Sequence, residues 1–322
     1  MSLGGLPAHA QEAHTSYAST SVQQGPLRVG VQVKIETFSE LDAEKIANAG
    51  FAFVRLGVWT DQLDNARYMR RVTAAFSIAA RARLPVLLTI RSTVPQIAAG
   101  DASPSYLQFV GRQFGARVQT IAQEYAQQLL GIELWNEPDL GRYWPTGDAA
   151  TTFPPFMSGV CAQIKEPPLH VPVYGFGFST APVGDSTASR LLRAALDGSS
   201  RCLDAVSYHA YGMTPAQIRN AARELRNRYG LPAVITEWGV PSQGSATSSP
   251  AMQARRIGAF VASLDASLDA SSIPLFSIYE WKDTARAENA RERSFGLVDT
   301  DSNAKAALAP VLDYLGESAV RR

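Results

Sequence analysis

No run of apolar residues in this 322-residue chain approaches the ~20 needed to cross a bilayer, so no membrane-spanning helix is expected. A dense Lys/Arg stripe is also missing: 30 basic residues stand against 29 acidic ones, for a formal net charge of +1. That balance argues against nucleic acid as a partner and for a neutral or mildly charged one. There is no glycine-rich phosphate loop. After the first apolar stretch, VGVQVKIETF offers only Gly30, with neither GxGxxG nor GxxxxGK[ST] spacing, which removes the main support for a doubly wound nucleotide-binding sheet. Histidine is scarce, four in all, without HExxH or clustered ligand spacing, so neither a metal nor another cofactor is expected. Cysteine is scarcer still. Cys161 and Cys202 are the only two, and no base pattern lies beside either, which argues against a thiol nucleophile. One disulfide and two buried thiols are both compatible with their spacing.

What is present is apolar: 46% of the residues, enough for one sizeable core, and barrels of this length fold as a single domain. Residues 1–26 lack hydrophobic periodicity, are rich in Ala, Ser and Gln, and read as a disordered or leader-derived tail. AHA before Gln11 resembles the small-residue end of a signal peptide, which points to a periplasmic or secreted protein. From residue 27 strand and helix patterns alternate. Strands are predicted at 27–33, 51–59, 85–90, 132–135, 171–176, 203–211, 233–237 and 274–281. Between them lie helical patterns: Leu41, Ile46 and Ala49; Met69, Val72 and Phe76; Leu107 through Tyr125; a short one through Phe156, Val160 and Ile164; Leu191, Leu192 and Ala195; Ile218 and Leu225; and Ile257, Val261, Leu264 and Leu268. Ser103-Pro104, Thr214-Pro215 and Ser249-Pro250 read as helix caps followed by a first-turn proline. A last helix is predicted over roughly 303–315. Eight such units predict a (β/α)8 barrel, α/β in class, over residues 27–322.

In a barrel the C-terminal strand ends converge on one opening. Those ends carry Arg55 and Trp59, Arg91, Asn136 and Glu137, Tyr174, His209 and Tyr211, Glu237 and Trp238, and Glu280 and Trp281. Two carboxylates at the ends of two apolar strands, GIELWNEPD (131–139) and LPAVITEWGV (231–240), suit acid and nucleophile work on an acetal. An aldolase or isomerase on the same fold would want a lysine at a strand end, and this set has none.

The set resembles the retaining glycoside hydrolases of clan A, which carry the acid/base in an Asn-Glu-Pro motif ending the fourth strand and the nucleophile at the end of the seventh. LWNEP (134–138) supplies the first and ITEWG (235–239) the second. Arg55 within the second strand, His209 with Tyr211 after the sixth, Trp281 after the eighth, and the closing SFGLVDTDSNAKAAL (294–308) add to the likeness. Within the clan the chain is similar both to the cellulase family and to family thirty-nine. It departs from the second in having no residues left for a β-sandwich beside the barrel. It departs from many members of the first in carrying TIRST (89–93) where they place a His, and both departures leave the sugar open.

The chemistry follows from the residues. An oxocarbenium-like transition state needs a proton on the leaving oxygen and an anion at the anomeric carbon. Glu137 is the expected acid and then base, needing a raised pKa; Glu237 is the expected nucleophile, kept ionised by Arg55 and a hydrogen bond from Tyr211. Asn136 suits the sugar 2-hydroxyl, and Trp281 suits a stacking platform. Tyr143 and Trp144, in a long loop after Glu137, suit the wall of an extended cleft. Each has a structural alternative: a paired carboxylate, a satisfied core histidine at His209, or plain packing for Trp59, Trp144 and Trp238. Strand alternation turns either Glu280 or Trp281 away from the lumen. Arg91 and Arg142 would meet an acidic sugar or be solvated surface charges. The expected activity is endo-acting hydrolysis of a β-linked polysaccharide or oligosaccharide by a monomer. The alternatives are an exo-acting β-glycosidase such as a β-xylosidase, and a non-catalytic carbohydrate-binding barrel.

Overall fold

The computed structural model describes residues 27–92, 103–144, 148–197, 202–264 and 272–320. The predicted tail at 1–26 and the helical position Leu268 lie outside them. Eight parallel strands close into a barrel in which spatial order is sequence order: β1 Arg28–Gln32, β2 Phe53–Trp59, β3 Val86–Arg91, β4 Leu129–Leu134, β5 Val173–Phe178, β6 Ala205–His209, β7 Ala233–Trp238 and β8 Leu275–Ile278, which pairs back onto β1. The helices are α1 Glu40–Asn48, α2 Ala66–Arg81, α3 Pro104–Glu124, α4 Ala149–Ile164, α5 Thr187–Leu196, α6 Pro215–Tyr229, α7 Pro250–Val261 and α8 Leu308–Val320. Strands covered on both faces need no polar side, which is why β7 is buried at all six positions and opens with the apolar run Ala233–Ile235. No helix among the described residues is long and apolar enough to cross a membrane.

The three predicted Ser/Thr-Pro caps are all present. Ser103, Thr214 and Ser249 each accept a hydrogen bond from the third residue beyond, and Thr214 forms a full capping box with Gln217. The barrel floor is a plug of Phe53, Leu87, Tyr174, Ala205, Val234 and Leu275. Two glycines make room for its rings: a Cβ on Gly30 would overlap Phe53, and one on Gly131 would meet the Tyr174 ring at 2.6 Å. Tyr174 is therefore a floor residue, not the mouth residue its strand suggested, because β5 runs two residues further than predicted, to Phe178.

Two helices differ from expectation. The predicted short helix is sixteen residues long, Ala149–Ile164, and runs through Pro154 and Pro155. Prolines remove backbone donors and normally stop a helix. Here Phe153 and Phe156 pack edge-on against Trp144, and Phe156 against Trp135, which outweighs the two lost bonds. The last helix begins at Leu308, not near 303, because Asp299 accepts from the backbone of Asp301 and Asn303 and ties that stretch into a turn. Leu41, one of the apolar positions that marked α1, is 54% exposed.

Cys161 on α4 and Cys202 before β6 form a disulfide, with Cα atoms 5.2 Å apart across 41 residues. Closing a loop of that length stabilises the fold by about 2–4 kcal/mol. Reduction, or the Cys161→Ala/Cys202→Ala double variant, is expected to lower the urea midpoint accordingly; an unchanged midpoint would count against the bond.

Candidate active site

Above the floor the lumen turns polar, and Arg55 organises it. Its guanidinium donates to Gln32 Oε1 (2.6 Å), Glu237 Oε1 (2.6 Å), Glu133 Oε2 (2.6 and 3.1 Å) and Asn136 Oδ1 (3.3 Å). Burial opposes its charge, but Glu133 and Glu237 outweigh burial and raise its pKa further. Glu133 is the partner that the strand motif did not single out. It faces the lumen from β4, receives a 2.7 Å hydrogen bond from Thr89, and is completely buried. A signal for it exists in the sequence: Glu133 and Arg55 each sit inside an apolar strand, and opposite charges buried there need each other.

Beyond β4 the backbone turns sharply. Trp135 and Glu137 have φ of 74° and 53°, a left-handed conformation that costs about 1–3 kcal/mol for side-chain-bearing residues. Trp135 N bonds to Ile90 O at 2.8 Å and Glu137 N to Gly177 O at 2.7 Å, which hold the turn. Gly177, itself at φ 58°, suits this left-handed backbone, and a Cβ there would press on the Glu133 carboxylate at 3.0 Å. This turn lifts Glu137 into the opening opposite Glu237, the fifth residue of β7.

One buried imidazole joins the two. His209 Nδ1 lies 2.7 Å from Glu137 Oε1, and its Nε2 lies 3.4 Å from Glu237 Oε1, close but not aligned as a hydrogen bond. Burial disfavours the imidazolium, yet Glu237 and Glu137 outweigh it and raise the His209 pKa. Tyr211 donates to Glu237 Oε2 at 2.7 Å. Burial, reinforced by the Glu237 charge, raises the Tyr211 phenol well above its ordinary range, so it stays a donor. Burial would likewise push Glu237 up, but His209 and Arg55, with the Tyr211 hydrogen bond, bring it down to about 2. The arrangement holds one carboxylate ionised and leaves the other in contact with a titratable ring.

The cleft above these groups has a volume of about 680 Å3 and is lined by Arg55, Trp59, Arg91, Asn136, Glu137, Arg142, Tyr143, Tyr211 and Glu237 among the expected residues, together with Tyr279. Besides the floor residue Tyr174 and the buried His209, four expected residues do not line it. Trp281 is buried, T-stacked on Phe51, with its indole donating to Asp42 on α1 at 3.0 Å. Trp238 follows the inward Glu237 and so points outward, stacked on Phe260 at 3.7 Å. Trp144 is fully buried and donates to Thr152 at 2.7 Å, anchoring the loop that carries Glu137. Glu280 turns away to an ion pair with Lys34 at 2.8 Å; burial raises its carboxyl to about 7 despite that partner. Lys34, just beyond β1, is a strand-end lysine that the sequence reading left out, and its ammonium is committed to Glu280 and Thr284.

The Arg55 cluster predicts acid behaviour. Glu133 is buried, and Arg55 then His209 outweigh that burial and lower its pKa, as happens at Glu237. Folded values below the unfolded ones mean stability that is present above the ordinary carboxylate range and lost as pH falls through it. A steep fall in melting temperature is expected between about pH 4.5 and 2. Glu133→Gln is expected to flatten that fall and to cost about 3–5 kcal/mol at neutral pH, because Arg55 loses a buried counterion. Parallel pH–melting curves for the two proteins would refute the assignment.

No family model matches the chain, and no curated protein matches it. Solved structures do. A family 39 glycoside hydrolase from Bacteroides cellulosilyticus WH2 superposes with a TM-score of 0.68 at 17% identity, covering 90% of this chain and 63% of its own. An exo-β-1,4-mannosidase from Opitutaceae bacterium strain TAV5 gives 0.70 at 16%, covering 92% and 60%. The GH53 catalytic domain of Ignisphaera aggregans gives 0.64 at 18%, covering 89% and 91%. The chain thus spans about three fifths of the length of the first two. What it shares with all three is the (β/α)8 fold.

Proposed function

We propose that the chain is a retaining glycoside hydrolase that cleaves β-linked polysaccharide by double displacement through Glu137 and Glu237. The observation that carries this reading is the shared His209 ring: both carboxylates contact it, from opposite nitrogens, yet only Glu237 is also held by Arg55 and Tyr211. Retention follows the likeness of LWNEP and ITEWG to the retaining clan A motifs, in which the two carboxyl groups lie roughly 5–5.5 Å apart. Solved structures of the same fold are described as glycoside hydrolases, which supports the same class here.

In the first step Glu137 gives its proton to the glycosidic oxygen as the bond from C1 to that oxygen breaks, and a Glu237 oxygen bonds to C1. In the second, Glu137 takes a proton from water, whose oxygen attacks C1 and releases Glu237. Asn136 accepts from Arg55, which orients its amide N–H groups toward the cleft and a sugar hydroxyl. With Trp281 buried, the stacking role passes to Trp59, Tyr143 and Tyr279, whose rings line the cleft.

Endo action is the finer reading. The β4 and β8 loops meet across the cleft through an ion pair of Arg142 and Glu288, side chains 57% and 65% exposed. A pair so exposed contributes at most about 1 kcal/mol and does not seal one end. Product sizing during the first minutes on neutral and uronic-acid-containing polysaccharides tests this. Oligosaccharides of several lengths are expected; monosaccharide alone would overturn endo action, and no product from any of them would overturn the glycosidase reading. The Cys161–Cys202 disulfide supports work in an oxidising compartment, periplasmic or extracellular, which fractionation of the source cells checks.

A further inference from the structure

Several cations line the cleft, and all but one are paired or solvated. Arg55 is neutralised by Glu133 and Glu237, Lys34 by Glu280, Arg142 by Glu288 and Arg291 by Glu292. Arg286 is exposed and solvated. Arg91 has none of these compensations. Among the described residues it has neither a carboxylate within ion-pair distance nor a hydrogen-bond acceptor, and its Nε is buried without a partner.

Its position is nonetheless fixed. Arg91 ends β3 in register with Trp59 at the end of β2, and its guanidinium lies 3.8 Å from the Trp59 ring centre. Cation–π contact holds the plane of the group but leaves its edge, where the N–H donors lie, uncommitted. Burial depresses its pKa, with Glu237 acting in the opposite direction, but a guanidinium remains charged at any working pH. A charge partly removed from water and given no counterion destabilises the free protein. A ligand that brings the missing anion into the cleft relieves that penalty, and the fork of a guanidinium matches a planar carboxylate in bidentate fashion.

We propose that Arg91, braced by Trp59, forms a subsite for the carboxylate of a hexuronic acid residue in the polysaccharide. This inference rests on the glycosidase reading of the same cleft and narrows its substrate to an anionic polymer. The rival role for Arg91 is to bias Glu237 and Glu137 electrostatically, which would affect neutral and acidic substrates alike.

Binding and turnover separate these possibilities. The probes are β-linked oligosaccharides containing glucuronate, mannuronate or galacturonate, each paired with its carboxyl-reduced counterpart, and one sulfated neutral oligosaccharide. Calorimetry on the full chain is expected to show at least one uronate bound roughly 10- to 100-fold more tightly than its reduced form, the range of a charge-assisted hydrogen-bond pair. Arg91→Gln is expected to collapse that ratio to near one, while Arg91→Lys, which keeps the charge and loses the fork, is expected to retain part of it. No uronate preference in the unmodified protein, or a preference that survives Arg91→Gln, overturns the subsite. Tighter binding of the sulfated probe overturns the choice of carboxylate. A uronate preference lost in Arg91→Gln, with no hydrolysis of any probe, would sustain the subsite and sink the glycosidase reading. Hydrolysis without a uronate preference would do the reverse.

Discussion

Glu237→Gln is expected to lower kcat by roughly 10^4-fold or more while leaving oligosaccharide binding largely intact, the scale seen when an enzyme loses its nucleophile. The amide keeps the shape of the carboxylate and still meets Tyr211 and Arg55, but it carries no charge to support the anomeric carbon and forms no ester with it. Glu237 is suited to the role because its partners outweigh the burial that opposes the anion: Arg55 at 2.6 Å on one oxygen and Tyr211 at 2.7 Å on the other. A nucleophile with a pKa near 2 is ionised throughout any plausible pH range, so the acid limb of the activity profile should not report it. The decisive measurement is trapping with an activated 2-fluoro sugar followed by peptide mass mapping. A label on any residue other than Glu237 would overturn the assignment, as would a variant that keeps more than a few per cent of wild-type turnover.

The fold was legible because its signals are local. Ser103-Pro104, Thr214-Pro215 and Ser249-Pro250 announce helix starts by side chains that act within four residues, and all three are in place. The positions of Glu137 and Glu237 were legible for a related reason: each follows an apolar strand whose C-terminal end opens on the cleft, although Glu280, just past β8, turns away to Lys34. The aromatics were legible only in part: Trp59 and Tyr143 line the cleft, while Trp144, Trp238 and Trp281 do not. Whether an indole beside a strand end faces the lumen or the helices depends on single-residue alternation and on what waits outside. Trp238 went outward because Glu237 goes inward, and Trp281 went outward to an acceptor, Asp42, that lies 239 residues away. Glu133 was overlooked for the converse reason: its partner Arg55 lies 78 residues away, so neither looks paired until the barrel closes. Reading buried charges as obligate pairs would have joined them.

Glu137→Gln should give losses that depend on what the substrate expels. For a natural glycoside the leaving group is a sugar hydroxyl, which departs only if protonated, so kcat/KM is expected to fall roughly 10^2- to 10^4-fold. An aryl glycoside with an acidic phenol leaves as a stable anion, and its kcat/KM, which reports the first step, should change little. Its kcat should still fall, because the second step needs Glu137 as the base that activates water. The covalent intermediate then accumulates, so a burst of phenol followed by slow turnover is expected, with a lowered KM. The structure gives a reason for Glu137 to serve in both directions where Glu237 does not. Among the described residues its Oε1 is hydrogen-bonded to His209 alone, a ring whose own charge is favoured by both carboxylates. Losing and regaining a proton at Glu137 therefore happens beside a group that can compensate the change in charge, whereas Glu237 is locked in one state by a permanent cation. Pre-steady-state phenol release from two aryl glycosides of different acidity, set against hydrolysis of an unactivated oligosaccharide, measures this. Equal losses in kcat/KM on all three would remove Glu137 from the acid role and leave it as a structural partner of His209.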